Sequence, residues 1–150
     1  MKTTKQQIND FFSGAPIAVA GVSRNQKKFG YIAFKEVLDR GLEVVPVNPK
    51  SDQIAGLDCY PNVSALPGGI HALWILTGKE NTASVLEEAL DKGIRNIWIQ
   101  QSSDTPEALS LLEGKGINAI TGECLLMHYK PTGIHKFHRT IKGWFGGLPK

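Results

Sequence analysis

Short, nearly continuous apolar runs alternate along this chain with longer stretches in which apolar residues return every three or four positions. The runs are Ile17–Ala20, Val44–Val47, Ala72–Leu76 and Asn96–Gln100, with a weaker fifth at Asn118–Thr121. Runs of this length without polar alternation suit strands covered on both faces. Between them, Tyr31, Ile32, Phe34, Val37 and Leu38 fall at helical spacing before Gly41. The same spacing recurs at Val85, Leu86, Ala89 and Leu90 before Gly93, and at Ala108, Leu109, Leu111 and Leu112 before Gly114 or Gly116. Asn81 or Thr82 is the expected cap of the former helix, and Asp104-Thr105-Pro106-Glu107 is a strong start for the latter. A short N-terminal helix capped by Thr3 or Thr4 carries Ile8, Phe11 and Phe12 and stops at Ser13-Gly14. Strands alternating with helices predict an α/β fold: a Rossmann-like, doubly wound parallel sheet of about five strands with helices on both faces.

Residues 51–69 break the pattern, because glycine and proline punctuate them without periodicity. They are expected to form a loop with one helical turn at Val63–Leu66. After Tyr129 the chain changes again. Ile134, Phe137, Ile141, Trp144 and Phe145 share a helical face, with Lys136, Arg139 and Lys142 elsewhere. The expected division is therefore a domain over residues 1–129 and a basic amphipathic extension over residues 130–150. The extension is expected to pack on the domain or on a dimer partner; binding of an acidic lipid surface or another partner is the alternative.

Charge sharpens this division. Residues 1–129 hold 12 Lys and Arg against 14 Asp and Glu, whereas residues 130–150 hold 5 basic residues and no acid. The domain is mildly acidic but keeps a basic spot at Arg24, Lys27 and Lys28. A hydrophobic fraction of 41% over 150 residues allows one sizeable core. No apolar run approaches the roughly 20 residues of a membrane span, and the N-terminus lacks a signal-like apolar region. A cytoplasmic protein without a nucleic-acid partner is expected. Cys59 and Cys124 fit no metal spacing and are expected to be reduced.

In an open parallel sheet, ligands bind at the carboxyl ends of the strands. Here those ends are Gly21-Val22-Ser23 and Val47-Asn48-Pro49-Lys50. The dinucleotide fingerprint G-x-G-x-x-G is missing: after Gly21 the next glycine is Gly30, and the intervening loop is long and basic. Backbone N–H groups at Val22-Ser23 and at the following helix start suit a phosphate, with Arg24, Lys27 and Lys28 adding charge. At the end of the second strand, an NAD site uses a carboxylate for the ribose hydroxyls. This chain has Lys50 nearby instead, which favours a ribose bearing an extra phosphate. NADP and coenzyme A both qualify.

The run GVSRNQKKFGYIAFKEVLDRGLEVVPVNPK, followed by LDCYPNVSALP, a WILT strand end, IWIQ and GINAITGECLLM, resembles the small stand-alone CoA-binding proteins. These are similar to the N-terminal CoA-binding domain of the succinyl-CoA synthetase alpha subunit. The resemblance covers about residues 16–128. It implies that Gly21, Val22 and Ser23 lie against the phosphates, with Arg24 or Lys28 as cationic partner. It further implies that Val47, Asn48, Pro49 and Lys50 frame the adenosine and its 3′-phosphate, and that Leu76 and Thr77 flank the nucleotide. The implied ligand is coenzyme A or an acyl-CoA. Two departures bear on function. Glu123 stands before Cys124 where relatives often carry a base, and the synthetase's phosphohistidine and nucleotide-grasp domains have no counterpart. The resemblance thus implies binding rather than ligase chemistry, by a carrier, a sensor or the partner of an enzyme, with a homodimer also plausible.

Catalytic candidates are sparse. Cys124 and His128 would share a face if helical, which is the arrangement that makes a thiolate. Burial of an inert cysteine is the competing reading. His135 and His138 have helical spacing but lack further ligands for a metal, and His71 has no companion. No catalytic and no metal-binding residue is assigned. An NADP-dependent oxidoreductase remains the alternative function.

Overall fold

The computed structural model describes residues 2–130. Helix α1 (Lys5–Ser13) opens the fold, held by a capping box between Thr4 and Gln7. Strand β1 (Ile17–Ala20), helix α2 (Phe29–Asp39) and strand β2 (Val44–Val47) make the first βαβ unit. A hairpin, β3 (Gln53–Ile54) and β4 (Leu57–Asp58), and a 3₁₀ turn at Val63–Ala65 precede strand β5 (Ala72–Ile75). Helix α3 (Lys79–Lys92), strand β6 (Asn96–Gln100), helix α4 (Pro106–Leu112) and strand β7 (Asn118–Glu123) follow, then a 3₁₀ turn at Leu125–Met127.

The five long strands are parallel in the order β2-β1-β5-β6-β7. The chain steps outward from β1 to β2, then returns to the other side of β1 to build β5, β6 and β7. The order reverses between β1 and β5, so a crevice opens above their carboxyl ends. The strands are apolar throughout because both faces are covered, yet they still sort their side chains with a period of two. Ile17, Val19, Trp74 and Trp98 join Phe11 of α1 and Phe34 and Val37 of α2 on one face. Ala18, Ala20, Leu73, Ile75, Ile97 and Ile99 join Leu86 and Ala89 of α3 and Ala108 of α4 on the other. The buried indoles keep their N–H groups paired: Trp74 donates to Gln100 Oε1 at 3.1 Å, and Trp98 to the Glu123 carbonyl at 3.1 Å.

Four expectations need correction. The stretch after β2 is not all loop: Ala55 and Gly56, both at positive φ, turn the β3–β4 hairpin. Helix α3 starts at Lys79 behind Gly78, not at Asn81 or Thr82, because the Thr82 hydroxyl is buried and bonded elsewhere. Only Ala108 of the α4 stripe is buried, and Leu109 is 39% exposed, since α4 covers the sheet near its edge. Cys124 and His128 do not share a helical face; they flank the 3₁₀ turn, and His128 pairs with Glu123 at 3.1 Å. The amphipathic extension, with His135 and His138, lies outside the described residues.

Arg40, at the end of α2, ties the last described segment down. Its guanidinium pairs with Glu36 at 3.0 Å and donates to the Leu126 and Tyr129 carbonyls at 2.9 and 2.7 Å. Replacement by alanine leaves those carbonyls unpaired in a half-buried site. Arg40→Ala is expected to lower stability by about 2–3 kcal/mol in urea titration, and Arg40→Lys to recover only part of it, because an ammonium cannot span all three acceptors.

Candidate ligand-binding site

The crevice is a single cleft of about 680 Å³ at the carboxyl ends of β1, β2 and β5. That volume is in the range of small-molecule and cofactor sites. Gly21, Val22, Ser23, Lys28, Val47, Asn48, Pro49, Lys50, Leu76 and Thr77 all line it. Arg24 does not. It faces a second depression beside Tyr31, Ser51 and the β3–β4 turn, so Lys28 rather than Arg24 supplies the cation of the first loop.

Two glycines make the crevice narrow at its base. Gly21 has φ +95°, and a Cβ there would lie 2.6 Å from the Leu76 carbonyl carbon and the Thr77 nitrogen. No side chain fits between the ends of β1 and β5. A Cβ on Gly30, the second residue of α2, would collide with the Gly21 carbonyl oxygen. The two glycines thereby meet the demands that the dinucleotide fingerprint places on its own glycines, close backbone approach and close helix–strand packing, across a longer loop. The loop between them is internally bonded: Ser23 Oγ accepts from the Asn25 N–H, and Asn25 Oδ1 from the Lys27 N–H, both at 3.0 Å. It delivers Lys28 to the start of α2. Among the described residues no side chain caps that start, and its first turn holds no acid, whereas Thr4, Thr105 and Asn62 cap α1, α4 and the first 3₁₀ turn. An uncapped helix start beside a lysine suits an anion.

Asn48 lines the cleft and also joins two strand ends. Its Nδ2 donates to the Val22 carbonyl and its Oδ1 accepts from the Lys50 N–H, each at 2.7 Å. Reversing the amide would set carbonyl against carbonyl, so the orientation is fixed. Asn48 is a clamp that holds the end of β2 to the loop after β1 and sets the backbone course of Lys50.

A polar ring supports the β5 end. The Ser103 hydroxyl donates to the Thr77 carbonyl at 2.7 Å, and the Thr82 hydroxyl donates to the Ser103 carbonyl at 2.6 Å. Thr82 Oγ1 and Thr77 Oγ1 are 3.2 Å apart. Thr82 Oγ1 also lies 3.4 Å from the Gly78 carbonyl, so these hydroxyls tie the end of β5 to the start of α3 and to the loop after β6.

Residues 15–130 match the family model described as the CoA binding domain. This chain belongs to that family. The uncharacterized protein YneT of Bacillus subtilis is 28% identical over 116 residues, which is 77% of this chain and 86% of that protein. The alpha subunit of an ADP-forming acetate–CoA ligase II from Pyrococcus furiosus is 33% identical over 93 residues, taking in 61% of this chain but only 20% of the subunit. Among solved structures, a conserved hypothetical protein from Pyrococcus furiosus superposes with a TM-score of 0.70 at 34% identity, over 74% of this chain and 96% of that one. A hypothetical protein from Pyrococcus horikoshii gives 0.76 at 25% identity, over 87% and 98%.

Within this CoA binding domain, sequence reasoning missed the wall formed by α3 and the loop before β5. Pro61, Asn62 and Val63 line the cleft, as do Asn81, Ser84, Val85 and Glu88 of α3, on which the 3₁₀ turn at Val63–Ala65 packs. These four α3 residues recur at helical spacing, on the face adjoining the buried Thr82, Leu86 and Ala89. That polar stripe on an otherwise amphipathic helix was the available signal. Neither thiol is activated. Burial pushes the Cys124 thiol up from its ordinary value, and burial also raises Cys59, against the effect of a contact with the Asn48 carbonyl. No described helix is long and apolar enough to cross a membrane, and no described cluster of His, Cys, Asp and Glu can hold a metal.

Two outcomes follow from this geometry. Gly30→Ala is expected to destabilise the fold by at least about 1–3 kcal/mol, since α2 must move off β1; thermal denaturation measures it. Iodoacetamide at neutral pH is expected to leave Cys124 unmodified in the native protein and to label it after denaturation, as read by peptide mass spectrometry.

Proposed function

We propose that the chain binds coenzyme A, free or acylated, in the cleft above β1, β2 and β5. The observation that carries this reading is the convergence there of two cations, Lys28 and Lys50, with an uncapped helix start and a strand end lacking a ribose-reading carboxylate. In this reading the diphosphate lies against Gly21–Ser23 and the start of α2, with Lys28 as its counter-charge. Lys50, whose N–H is held by Asn48, takes the 3′-phosphate. Val47 and Pro49 lie along the adenosine, and Leu76 and Thr77 flank the nucleotide from β5. The domain supplies binding and leaves acyl chemistry to another protein, in keeping with its correspondence to a fifth of a ligase subunit. It serves as a carrier, a sensor or the CoA-holding partner of an enzyme in the cytoplasm.

Calorimetric titration with CoA, 3′-dephospho-CoA and NADP tests this on wild type, Lys28→Ala and Lys50→Ala. CoA is expected to bind, and removing either the 3′-phosphate or Lys50 to weaken it about tenfold, the range of a charge-assisted contact. The Lys50→Ala effect should vanish with 3′-dephospho-CoA, while Lys28→Ala weakens both ligands alike. Tighter binding of NADP than of CoA would move the protein to the oxidoreductase class.

A further inference from the structure

Strand β7 ends the five-stranded sheet, so only one of its edges is paired. The Asn118 N–H donates inward to the Arg95 carbonyl at 2.9 Å. Backbone alternation therefore turns the peptide groups of Ala119 and Thr121 outward, and both residues line a groove of about 330 Å³ along that edge. Helices α1 and α4 flank it, since they cover opposite faces of the sheet. Asn118 Nδ2 donates to the Gln7 carbonyl at 2.9 Å and so anchors α1 beside the strand. Leu109 and Leu112 of α4, with Ile117, make the groove apolar. Leu109 is the one exposed large apolar side chain among the described residues, and Lys2 and Glu113 are the only charges lining the groove among them. An uncovered edge of this kind is a template for pairing with another chain.

The described chain ends close by. The Tyr129 ring lies 5.0 Å from that of Phe12 in α1, and Arg40 holds the Tyr129 carbonyl. Phe12 is five residues beyond Gln7, a groove residue, or about 7.5 Å along the helix axis. Residues 131–133 span up to about 10 Å when extended, and a helix over residues 134–145 would be about 18 Å long. The rest of the chain therefore reaches the groove from where it starts. Its tether holds it there at about millimolar effective concentration, an advantage that a second copy lacks. Its chemistry is complementary as well. Ile134, Phe137, Ile141 and Trp144 recur at helical spacing, and residues 130–150 carry 5 bases and no acid. Residues 101–114, through α4, carry the acids Asp104, Glu107 and Glu113 and no base. We propose that residues 134–145 dock intramolecularly on the groove at the outer edge of β7, with their apolar positions on Leu109, Leu112 and Ile117. The extension is thus the sheet's own edge cover, which keeps β7 from pairing with another chain.

Tryptophan fluorescence of the full chain tests this, because Trp74 and Trp98 are fully buried and Trp144 is the third and last indole. Wild type is expected to resist acrylamide quenching as well as Trp144→Phe does, at every protein concentration. Leu109→Lys sets a cation against a basic segment and is expected to open one indole of the three to the quencher. Leu109 is exposed, so far-ultraviolet circular dichroism should stay unchanged in this variant. Ile141→Asp, on the segment itself, is expected to release Trp144 to the same degree, and the two changes together to release it no further. Free quenching of Trp144 in wild type overturns the proposal. Shielding that survives Leu109→Lys overturns it too, since the segment then rests on another face. Shielding that is lost on dilution, with a dimer in sedimentation, also overturns it, because a second copy then covers the edge.

Discussion

Everything around the cleft depends on how closely two strands and a helix meet at Gly21. The backbone of β1 turns at φ +95° against the end of β5, and α2 rests directly on the Gly21 carbonyl through Gly30. Any side chain at either position would lever the helix or the strand away. With them absent, the first turn of α2 is brought to the mouth of the crevice with its N–H groups facing outward. The positive end of the α2 dipole at the cleft is thus a property of backbone packing first. Lysines 28 and 50 add to a field that the fold already supplies.

The clamp and the ring then convert that crevice into a shaped surface. Asn48 joins the ends of β2 and β1, and the Thr77, Thr82 and Ser103 hydroxyls join β5 to α3 and to the loop after β6. The first link fixes how the ends of β1 and β2 meet, and the second fixes how the end of β5 meets the start of α3, so the walls of the cleft are held by side-chain bonds as well as by strand pairing.

Much of this was legible in the residues themselves. The period-two sorting of apolar strands and the stop at Gly93 follow from local rules, and β1 and β6 run over the residues their apolar character marks. The misses have physical reasons. Alanine is a poor residue for positive φ, so Ala55-Gly56 carries only half of a hairpin signal. Thr82 has the chemistry of a cap, but a tertiary partner 21 residues away claims its hydroxyl. Gly30 gives no local sign of its purpose, because a helical glycine shows its packing role only once the neighbouring carbonyl is in place. Arg24 and Lys28 are equivalent as charges in a loop, and only the bonding of Ser23, Asn25 and Lys27 decides which of them reaches the cleft.

The hydroxyl ring also ties the cleft to a part of the chain that does not line it. Ser103, in the loop between β6 and α4, donates to the Thr77 carbonyl and accepts from Thr82 through its own carbonyl, so the course of that loop and the position of Thr77 in the cleft wall are set together. A change at Ser103 therefore removes a support of the cleft without touching the cleft itself.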